Sequence, residues 1–152
     1  FSGIHRRLEI KWDGDIKLID DYGHHPTEIK ATLSAMRKMW KDRIIAAFQP
    51  HRYTRTQALM EQFATSFNEA DILIVTEIYA ASEDPIEGIT GASLAEKIRA
   101  SGHKHVIFAP TRDDVIEKIL ENARPGDVVV TLGAGDLYKI DERLKSVWSG
   151  KE

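Results

Sequence analysis

One short segment of the sequence concentrates side chains that could bind or transform a ligand. Residues 20–25 read Asp-Asp-Tyr-Gly-His-His and hold two carboxylates, a phenol and two imidazoles. Capping a helix or closing a turn requires one polar side chain, so this density favours a functional loop. Imidazoles and carboxylates exchange protons and form hydrogen bonds with polar substrates. Binding or acid–base chemistry is therefore the first expectation for this segment.

A second segment carries the positive charge that an anionic ligand would need. Residues 49–55 include His51, Arg52 and Arg55. If a helix has already begun there, the two arginines share one face and converge on one anion. Guanidinium groups bind carboxylates and phosphates through paired, charge-assisted hydrogen bonds. This segment therefore predicts an anion-binding site.

A third segment, Gly-Ala-Gly-Asp at 133–136, resembles part of a nucleotide-binding loop. It has two glycines of the dinucleotide fingerprint, but it follows the last predicted strand and lacks the third glycine. We interpret it as a tight turn between a strand and a helix. The chain also has no GxxxxGK[ST] phosphate loop. A nucleotide could thus touch this domain but would not be cradled by such a loop.

The hydrophobic pattern indicates the elements that position these segments. An Asp13-Gly14 hairpin turn separates the first two of six predicted strands, which span residues 8–12, 15–19, 43–48, 70–76, 105–109 and 128–132. Helices alternate with the later strands, which predicts a three-layer α/β domain whose sheet is parallel except for the first, edge strand. Right-handed crossovers place every strand-to-helix loop on one rim. The three polar segments are therefore expected to lie on this rim.

Five helices are predicted. The first begins at Pro26, whose missing N–H and fixed φ suit a first helical residue, and its apolar face comprises Ile29, Leu33, Met36 and Trp40. The second has an apolar face of Leu59, Phe63 and Phe67, and the third spans residues 93–100. The fourth is capped by Thr111, and the fifth runs from residue 137 to about 147.

Composition limits the class of protein. The 152 residues fit one domain, residues 1–152, and 42% hydrophobic with 30% charged residues is typical of a globular protein. A formal charge of −3 gives no reason to expect a nucleic-acid or membrane partner, and cysteine is absent. No apolar run reaches transmembrane length, so a cytoplasmic location is the default expectation. The chain begins at Phe1, so we expect a piece of a longer protein.

Residues 20–28, Asp-Asp-Tyr-Gly-His-His-Pro-Thr-Glu, resemble the signature of the Mur ligase family, in the branch that adds L-alanine to UDP-N-acetylmuramate. The agreement extends through Phe1-x-Gly3-x-x-Arg6-Arg7 and residues 48–55, 77–81 and 133–136, and so covers nearly the whole chain. The related murein tripeptide recycling branch usually has Phe-Ala where this chain has Tyr22-Gly23. The resemblance therefore favours the alanine-adding branch, with the recycling branch as the alternative.

The resemblance implies the third, C-terminal domain of a three-domain ligase, with a Rossmann-like fold. The N-terminal UDP-sugar domain and the central ATP-binding domain would be absent, so the fragment alone would be inactive. In the intact family, ATP and Mg²⁺ activate the muramoyl carboxylate as an acyl phosphate, and the amine of L-alanine attacks it. This reaction belongs to cytoplasmic peptidoglycan precursor synthesis. The C-terminal domain closes over the nucleotide and delivers the amino acid.

The resemblance also assigns roles to individual residues. Arg7 and Asp21 match the nucleotide contacts, and the aspartate takes the ribose hydroxyls. The positions that match the amino-acid pocket are Tyr22, His24, His51, Arg52 and Arg55. A base for the incoming ammonium could be His24 or His51, and either histidine could instead orient the substrate.

Two interpretations from other classes stay open. A free-standing, non-catalytic module could bind an anionic metabolite at the same rim, although the start at Phe1 argues against it. A metal hydrolase could use Asp20, Asp21, His24 and His25 as ligands. Adjacent residues on an extended chain point apart, which disfavours one tetrahedral centre, and we expect no metal ligands. No serine lies in a Gly-x-Ser-x-Gly elbow, so a serine triad has no support.

Overall fold

The computed structural model describes residues 7–150 and forms one six-stranded sheet with helices on both faces. Of the predicted lead-in segment, only Arg7 lies within the described residues. The elements in chain order are β1 Glu9–Asp13, β2 Lys17–Asp21, α1 Pro26–Met39, β3 Ile44–Phe48, α2 Tyr53–Ala58, α3 Met60–Phe63, β4 Ile72–Val75, α4 Gly91–Ala100, β5 Val106–Phe108, α5 Arg112–Asn122, β6 Val128–Leu132, a 3₁₀-helix Leu137–Ile140 and α6 Asp141–Trp148.

The sheet has the order β1-β2-β6-β3-β4-β5. β1 pairs with β2 in antiparallel fashion at one edge, and every other neighbouring pair is parallel. The predicted α/β architecture and its antiparallel edge strand are confirmed. The hairpin turn is displaced, because Asp13 pairs with Lys17 and leaves residues 14–16 as the loop. β2 consequently extends to Asp21, two residues beyond the predicted end.

Two hydrophobic clusters fill the two faces of the sheet. Ile19 and Phe48 belong to the cluster on one face, whereas their neighbours Leu18 and Ala47 belong to the other. Successive side chains of a strand point to opposite faces, so strands buried on both sides must be apolar throughout. This explains why β3, β4 and β6 are buried at every position. No helix within residues 7–150 is long and apolar enough to span a membrane.

α1 begins where the sequence predicts. Pro26 is its first residue, and a reciprocal cap precedes it: the Thr27 N–H donates to His25 Nδ1 (3.2 Å) and the His25 N–H donates to Glu28 Oε1 (3.1 Å). This cap fixes the direction in which the 20–25 loop enters the helix. The helix ends at Met39, so Trp40 lies at its C-cap and packs against the core from outside the helix.

The helix predicted around Leu59, Phe63 and Phe67 is broken. α2 ends at Ala58, α3 ends at Phe63, and Phe67 follows in a turn. Phe63 and Phe67 are nevertheless fully buried, with ring centroids 5.5 and 5.0 Å from that of Phe48. Burial of an apolar side chain constrains its position but does not require helical backbone, so the pattern correctly predicted the core and wrongly predicted the helix.

The predicted closing helix starts as a 3₁₀-helix and continues as α6. The Gln49 side chain binds the start of this segment: its Oε1 accepts from the Asp136 N–H (2.9 Å) and the Leu137 N–H (3.1 Å). Its Nε2 donates to Asp136 Oδ1 (2.8 Å). One side chain that follows β3 therefore holds the loop that follows β6.

Candidate ligand-binding site

The three polar segments meet at the carboxyl ends of three adjacent strands. β6 lies between β2 and β3, so the loops after these strands are neighbours. Together they form an open pocket of about 700 Å³, lined by Tyr22, His24, His51, Arg52, Thr54, Arg55, Ala58, Leu59 and Ala134. The structure thus brings together all five residues that were expected to contact an amino acid.

Four lining residues were missed by the sequence analysis. Ala134 belongs to the Gly-Ala-Gly loop, which was interpreted only as a tight turn. Thr54, Ala58 and Leu59 lie along α2 and just after it, and the position of α2 over the rim is a consequence of tertiary packing. Ala58, Leu59 and Ala134 give the otherwise polar pocket an apolar wall.

His51 and Arg55 are in polar contact inside the pocket. Arg55 Nη1 lies 3.1 Å from His51 Nδ1, and a guanidinium can only donate, so Nδ1 accepts. On its other side the imidazole stacks on Tyr79, with ring centroids 5.6 Å apart and planes 13° apart. Burial lowers the pKa of His51, and the positive charges of Arg55, His24 and Arg52 add to this effect. His51 is therefore a neutral imidazole at neutral pH.

Arg52 precedes α2 and has an unusual backbone conformation, with φ 74° and ψ 142°. Its N–H donates to the Tyr79 carbonyl (2.8 Å), and its carbonyl accepts from the hydroxyl of Thr56 (2.7 Å). The arginines do not share a helical face as predicted, because Arg52 lies outside the helix and Arg55 within it. They reach the same pocket through this sharp change of chain direction.

Glu83 stabilises the start of α2, close to Arg52, although it is distant from both in sequence. Its Oε1 accepts from the N–H groups of Tyr53 (2.6 Å) and Thr54 (3.1 Å), the first two residues of α2. Hydrogen bonds from Thr54 and the nearby charge of Arg52 lower the pKa of Glu83, which keeps it ionised. No local sequence signal links Glu83 to α2, because their proximity depends on how the β4–α4 loop folds back over the rim.

His24 is held in a different way from His51. Its Nδ1 lies 3.2 Å from the Tyr22 carbonyl oxygen and 3.6 Å from Glu28 Oε1. Its ring lies edge-on to Tyr22, with centroids 5.4 Å apart, and its centroid is 6.0 Å from that of His51. Both histidines thus face one pocket, but different partners fix their Nδ1 atoms.

Asp21 lies away from the pocket and is fully buried. Its Oδ1 accepts from the Gly23 N–H (2.7 Å) and the Thr32 hydroxyl (3.2 Å), and its Oδ2 accepts from the Leu8 N–H (2.9 Å). Burial raises the pKa of Asp21, although these three hydrogen bonds and the charge of Arg7 oppose the increase. The carboxylate therefore offers no exposed oxygen to a ligand in this conformation.

Arg7, the other expected nucleotide contact, also lies outside the pocket lining. Its Nη2 forms an ion pair with Glu28 Oε2 at 2.9 Å. Because Leu8 is bonded to Asp21, Arg7 and Asp21 lie close together, as a shared nucleotide contact would require. A ribose could reach Asp21 only after Leu8 has moved.

The residues considered for a metal are separated by their partners. Asp20 is buried and accepts from the Thr131 hydroxyl (2.9 Å) on β6, and His25 caps α1. Within residues 7–150, no group of three or more His, Cys, Asp or Glu side chains is arranged to hold a metal ion. The metal-hydrolase alternative therefore has no ligand set in the described part of the chain.

Comparison with known families agrees with this geometry. The family model described as "Mur ligase, glutamate ligase domain" matches residues 6–135. The chain belongs to the Mur ligase family. The matched residues include every residue that lines the pocket.

Relatives within the Mur ligase family are about 50% identical to this chain over the aligned residues. It is 50% identical over 145 residues to the UDP-N-acetylmuramate–L-alanine ligase of Geotalea uraniireducens and 50% identical over 147 residues to that of Syntrophus aciditrophicus. These matches cover 95% and 96% of the chain but only 32% and 31% of the two relatives. The chain thus spans about a third of the length of the relatives that it matches.

Solved structures confirm the Rossmann-like fold. The UDP-N-acetylmuramate–alanine ligase MurC of Thermotoga maritima superimposes with a TM-score of 0.78 at 26% identity, over 97% of this chain and 31% of that one. A murein peptide ligase of Psychrobacter arcticus gives 0.75 at 28% identity, over 99% and 31%. A bifunctional folylpolyglutamate synthase/dihydrofolate synthase of Yersinia pestis gives 0.65 at 12% identity, over 94% and 31%, and shows the fold alone.

Glycine at position 23 of this Mur ligase domain has a clear structural basis. A Cβ atom on Gly23 would lie 2.8 Å from Asp21 Oδ1, the oxygen that accepts the Gly23 N–H. Real Cβ atoms essentially never approach so closely, so alanine would displace the Asp21 carboxylate. Glycine at position 23 is therefore coupled to the buried arrangement of Asp21.

Proposed function

We propose that this Mur ligase domain is the C-terminal, amino-acid-binding part of a larger ATP-dependent ligase that joins L-alanine to UDP-N-acetylmuramate. The N-terminal UDP-sugar domain and the central ATP-binding domain would belong to the rest of that enzyme, so this chain alone would be inactive. The relatives that support the proposal are ligases of that name, about three times as long as this chain. A cytoplasmic role in peptidoglycan precursor synthesis follows from the same proposal.

The observation that carries the proposal is the charge of the pocket. Its lining includes Arg52 and Arg55 but no carboxylate. Within residues 7–150, neither arginine forms an ion pair, whereas Arg7, Arg37 and Arg43 each do. Because His51 is neutral, the net charge of the lining comes from the two guanidinium groups. Such a site favours an anionic group that accepts charge-assisted hydrogen bonds.

A small α-amino acid fits the distribution of groups around the pocket. Its carboxylate would lie against Arg52 and Arg55, and its methyl group against Ala58, Leu59 and Ala134. Its ammonium group would face the side of the pocket formed by Tyr22 and His24. Holding the amine in register with an activated carboxylate, and excluding water from it, would be the contribution of this domain to the reaction.

We propose Arg7 and Asp21 as the nucleotide contacts of the closed enzyme. Their proximity supports the pairing, and the burial of Asp21 means that closure must release Leu8 first. The described residues contain no metal-ligand cluster, so Mg²⁺ would be held elsewhere in the enzyme. In a complete ligase, Asp21→Asn should raise the KM for ATP more than that for L-alanine, and an unchanged KM for ATP would contradict this contact.

The proposal can be tested in a chimera in which this chain replaces the matching third of the Geotalea uraniireducens ligase. We expect phosphate release that depends on both UDP-N-acetylmuramate and L-alanine. The same assay with a murein tripeptide in place of L-alanine tests the recycling branch. A folded chimera that binds ATP but shows no turnover with L-alanine would contradict the proposed function.

Arg55→Ala and Arg52→Ala test the carboxylate site within that chimera. A hydrogen bond to a charged group contributes about 1.5–3 kcal/mol, so each variant should raise the KM for L-alanine about 10- to 100-fold. Arg99→Ala is the matched control, because Arg99 lies on α4 and pairs with Glu96 outside the pocket. An unchanged KM for L-alanine in both pocket variants would rule out the carboxylate role.

A further inference from the structure

We propose that the two pocket histidines have opposite roles: His24 accepts a proton from the substrate ammonium group, and His51 donates a hydrogen bond to the substrate carboxylate. The proposal rests on the proposed function, since it concerns the same pocket and the same amino acid. It goes further because it assigns the base to one of two imidazoles whose centroids are only 6.0 Å apart.

The hydrogen bond from Arg55 determines which nitrogen of His51 carries the proton. Arg55 Nη1 can only donate, so His51 Nδ1 uses its lone pair to accept at 3.1 Å. A neutral imidazole with an acceptor Nδ1 has its proton on Nε2. Both nitrogens of His51 are then committed, one as acceptor from Arg55 and one as an N–H donor. His51 has no lone pair left with which to remove a proton from a substrate.

Tyr79 holds the His51 ring in this orientation. The two rings stack with planes 13° apart, and the backbone of Tyr79 brackets His51. The Tyr79 N–H donates to the Pro50 carbonyl (2.8 Å), and the Tyr79 carbonyl accepts from the Arg52 N–H (2.8 Å). A Cβ on Gly135 would lie 2.9 Å from Tyr79 Cγ, so the loop after β6 packs against Tyr79. These contacts restrict the rotation that would free Nδ1 of His51.

His24 has the opposite arrangement. Its Nδ1 lies 3.2 Å from the Tyr22 carbonyl oxygen, and a carbonyl only accepts, so Nδ1 carries a proton. In the neutral ring the lone pair is therefore on Nε2. The His24 side chain is 21% exposed and lines the pocket. A substrate ammonium group placed there would meet an acceptor nitrogen.

Glu28 compensates the charge that proton transfer would create. Its Oε1 lies 3.6 Å from His24 Nδ1. Burial opposes ionisation of Glu28, but hydrogen bonds from the His24 and His25 N–H groups and the charges of His24 and Arg7 outweigh it, so the pKa of Glu28 is lowered. An ionised carboxylate beside Nδ1 stabilises the imidazolium form, as in other dyads of a carboxylate and a histidine.

In the proposed step, one proton moves from the substrate ammonium group to His24. One N–H bond of the ammonium group breaks, its electron pair stays on nitrogen, and a new N–H bond forms at His24 Nε2. The amine uses that pair to form the C–N bond at the activated carboxyl carbon. The C–O bond to phosphate then breaks, and its electrons leave with the phosphate, which also takes the second proton of the amine. His24 finally returns its proton to solvent.

The tautomers can be measured in this chain without any substrate. In ¹⁵N-histidine-labelled protein above pH 7, long-range ¹H–¹⁵N spectra should show the Nε2–H form of His51 and the Nδ1–H form of His24. The reverse assignment for either ring would overturn the proposal. Arg55→Leu should weaken the preference of His51 for its Nε2–H form and raise its pKa, and the matched Arg99→Leu variant should do neither.

The roles can be separated in the chimera described above. His24→Gln should lower kcat with L-alanine by about 10²- to 10⁴-fold, the usual contribution of general base catalysis. Hydroxylamine is mostly unprotonated at neutral pH and does not need the base, so its turnover should fall far less. A purely structural defect would reduce turnover with L-alanine and with hydroxylamine equally. His51→Leu should chiefly raise the KM for L-alanine, His51→Gln should partly restore it, and His105→Gln is the control.

The outcomes distinguish the two proposals. An inactive but folded chimera would contradict the proposed function. An active chimera would overturn only the assignment of the base if its His24→Gln variant kept its kcat with L-alanine. The same conclusion would follow if that variant lost turnover with L-alanine and hydroxylamine equally. A larger loss of kcat in His51→Leu than in His24→Gln would exchange the two roles and so refute the present assignment.

Discussion

His51 shows how a residue in this pocket obtains its chemistry from its neighbours. Its type and position made it a candidate for binding or base catalysis, but the side chain alone does not decide between these roles. The guanidinium of Arg55 and the ring of Tyr79 decide, because they fix one tautomer and disfavour protonation. The same reasoning applied to His24 gives the opposite result, since its Nδ1 faces a carbonyl.

At the same scale, Gly23→Ala should destabilise the protein. The new Cβ would lie 2.8 Å from Asp21 Oδ1, so the buried carboxylate must move and weaken its bonds to Leu8 and Thr32. Overpacking of this kind costs about 1–3 kcal/mol in the free energy of unfolding. Urea unfolding monitored by circular dichroism measures the loss.

Thr27→Ala is a suitable control for this prediction, because Thr27 is exposed at the same junction and donates to His25 Nδ1 through its backbone N–H, which alanine keeps. The control should change the free energy of unfolding by less than about 0.5 kcal/mol. Equal stability of Gly23→Ala and the parent chain would show that Asp21 adapts without cost.

At the scale of elements, the pocket is built by loops that hold one another. The loop after β3 provides Gln49, which binds the loop after β6, and the loop after β4 provides Glu83, which caps α2. The connections after β3 and β6 thus each depend on a residue from another connection. The strands bring the loops to a common rim, and these side chains set their relative positions.

Gln49→Ala tests this dependence. The change removes the acceptor of two backbone N–H groups and the donor to Asp136, all partly or fully buried. Leaving such groups without a partner costs about 1–3 kcal/mol each, so we expect the free energy of unfolding to fall by at least about 2 kcal/mol. Amide hydrogen exchange of residues 133–137 should accelerate more than that of residues in β3.

Gln57→Ala provides the matched control, because Gln57 is exposed on α2. It should leave both the unfolding free energy and the exchange of 133–137 nearly unchanged. If Gln49→Ala behaved like this control, water would be replacing the lost bonds, and Gln49 would not determine the position of the loop.

At the scale of the whole molecule, the pocket places positive charge on a protein whose formal net charge is −3. Arg52 and Arg55 have no carboxylate partner in the pocket lining, and they disfavour the protonated form of His51. A pocket lining with two guanidinium groups and no carboxylate favours an anion, but a further positive charge in the pocket lowers stability. Stability of the whole fold should therefore depend on pH through this site.

His51 has a pKa below its ordinary value of 6.5 in the folded chain. Between that lowered pKa and 6.5, the unfolded chain binds more protons than the folded chain, so stability rises with pH there. The contribution is fully present above 6.5 and is lost as pH falls through the folded pKa. Urea unfolding from pH 7.5 to 5 should show this loss, and His51→Gln should reduce the slope.

His105→Gln, at an exposed position before β5, controls for the removal of a histidine as such. If the slope between pH 7.5 and 5 were the same in His51→Gln and in the parent chain, then Arg55 and burial would not shift the titration of His51. Residual slope in the variant would come from the other titrating groups of the protein.

The sequence by itself determined most of the strands and helices and the rim on which the site lies. Apolar runs and turn residues have a local physical cause, since strand periodicity, the fixed φ of Pro26 and the burial of β3 and β6 follow from neighbouring residues. The alternation of strands and helices then placed the loops at 20–25, 49–55 and 133–136 on one rim, and the strand order, with β6 between β2 and β3, made them neighbours. The chemical character of those loops could therefore be predicted from the sequence alone.

Only the tertiary structure decided how each functional group is held. Packing brings Tyr79 to His51, Glu83 to α2 and Gln49 to Asp136, and it buries Asp21 beneath Leu8. These pairs are separated by 13 to 87 residues along the chain. Their contacts depend on the summed packing of the sheet and its helices, and no local pattern encodes them. Tautomer, charge state and accessibility follow from such contacts, so the sequence named the candidates and the fold assigned their roles.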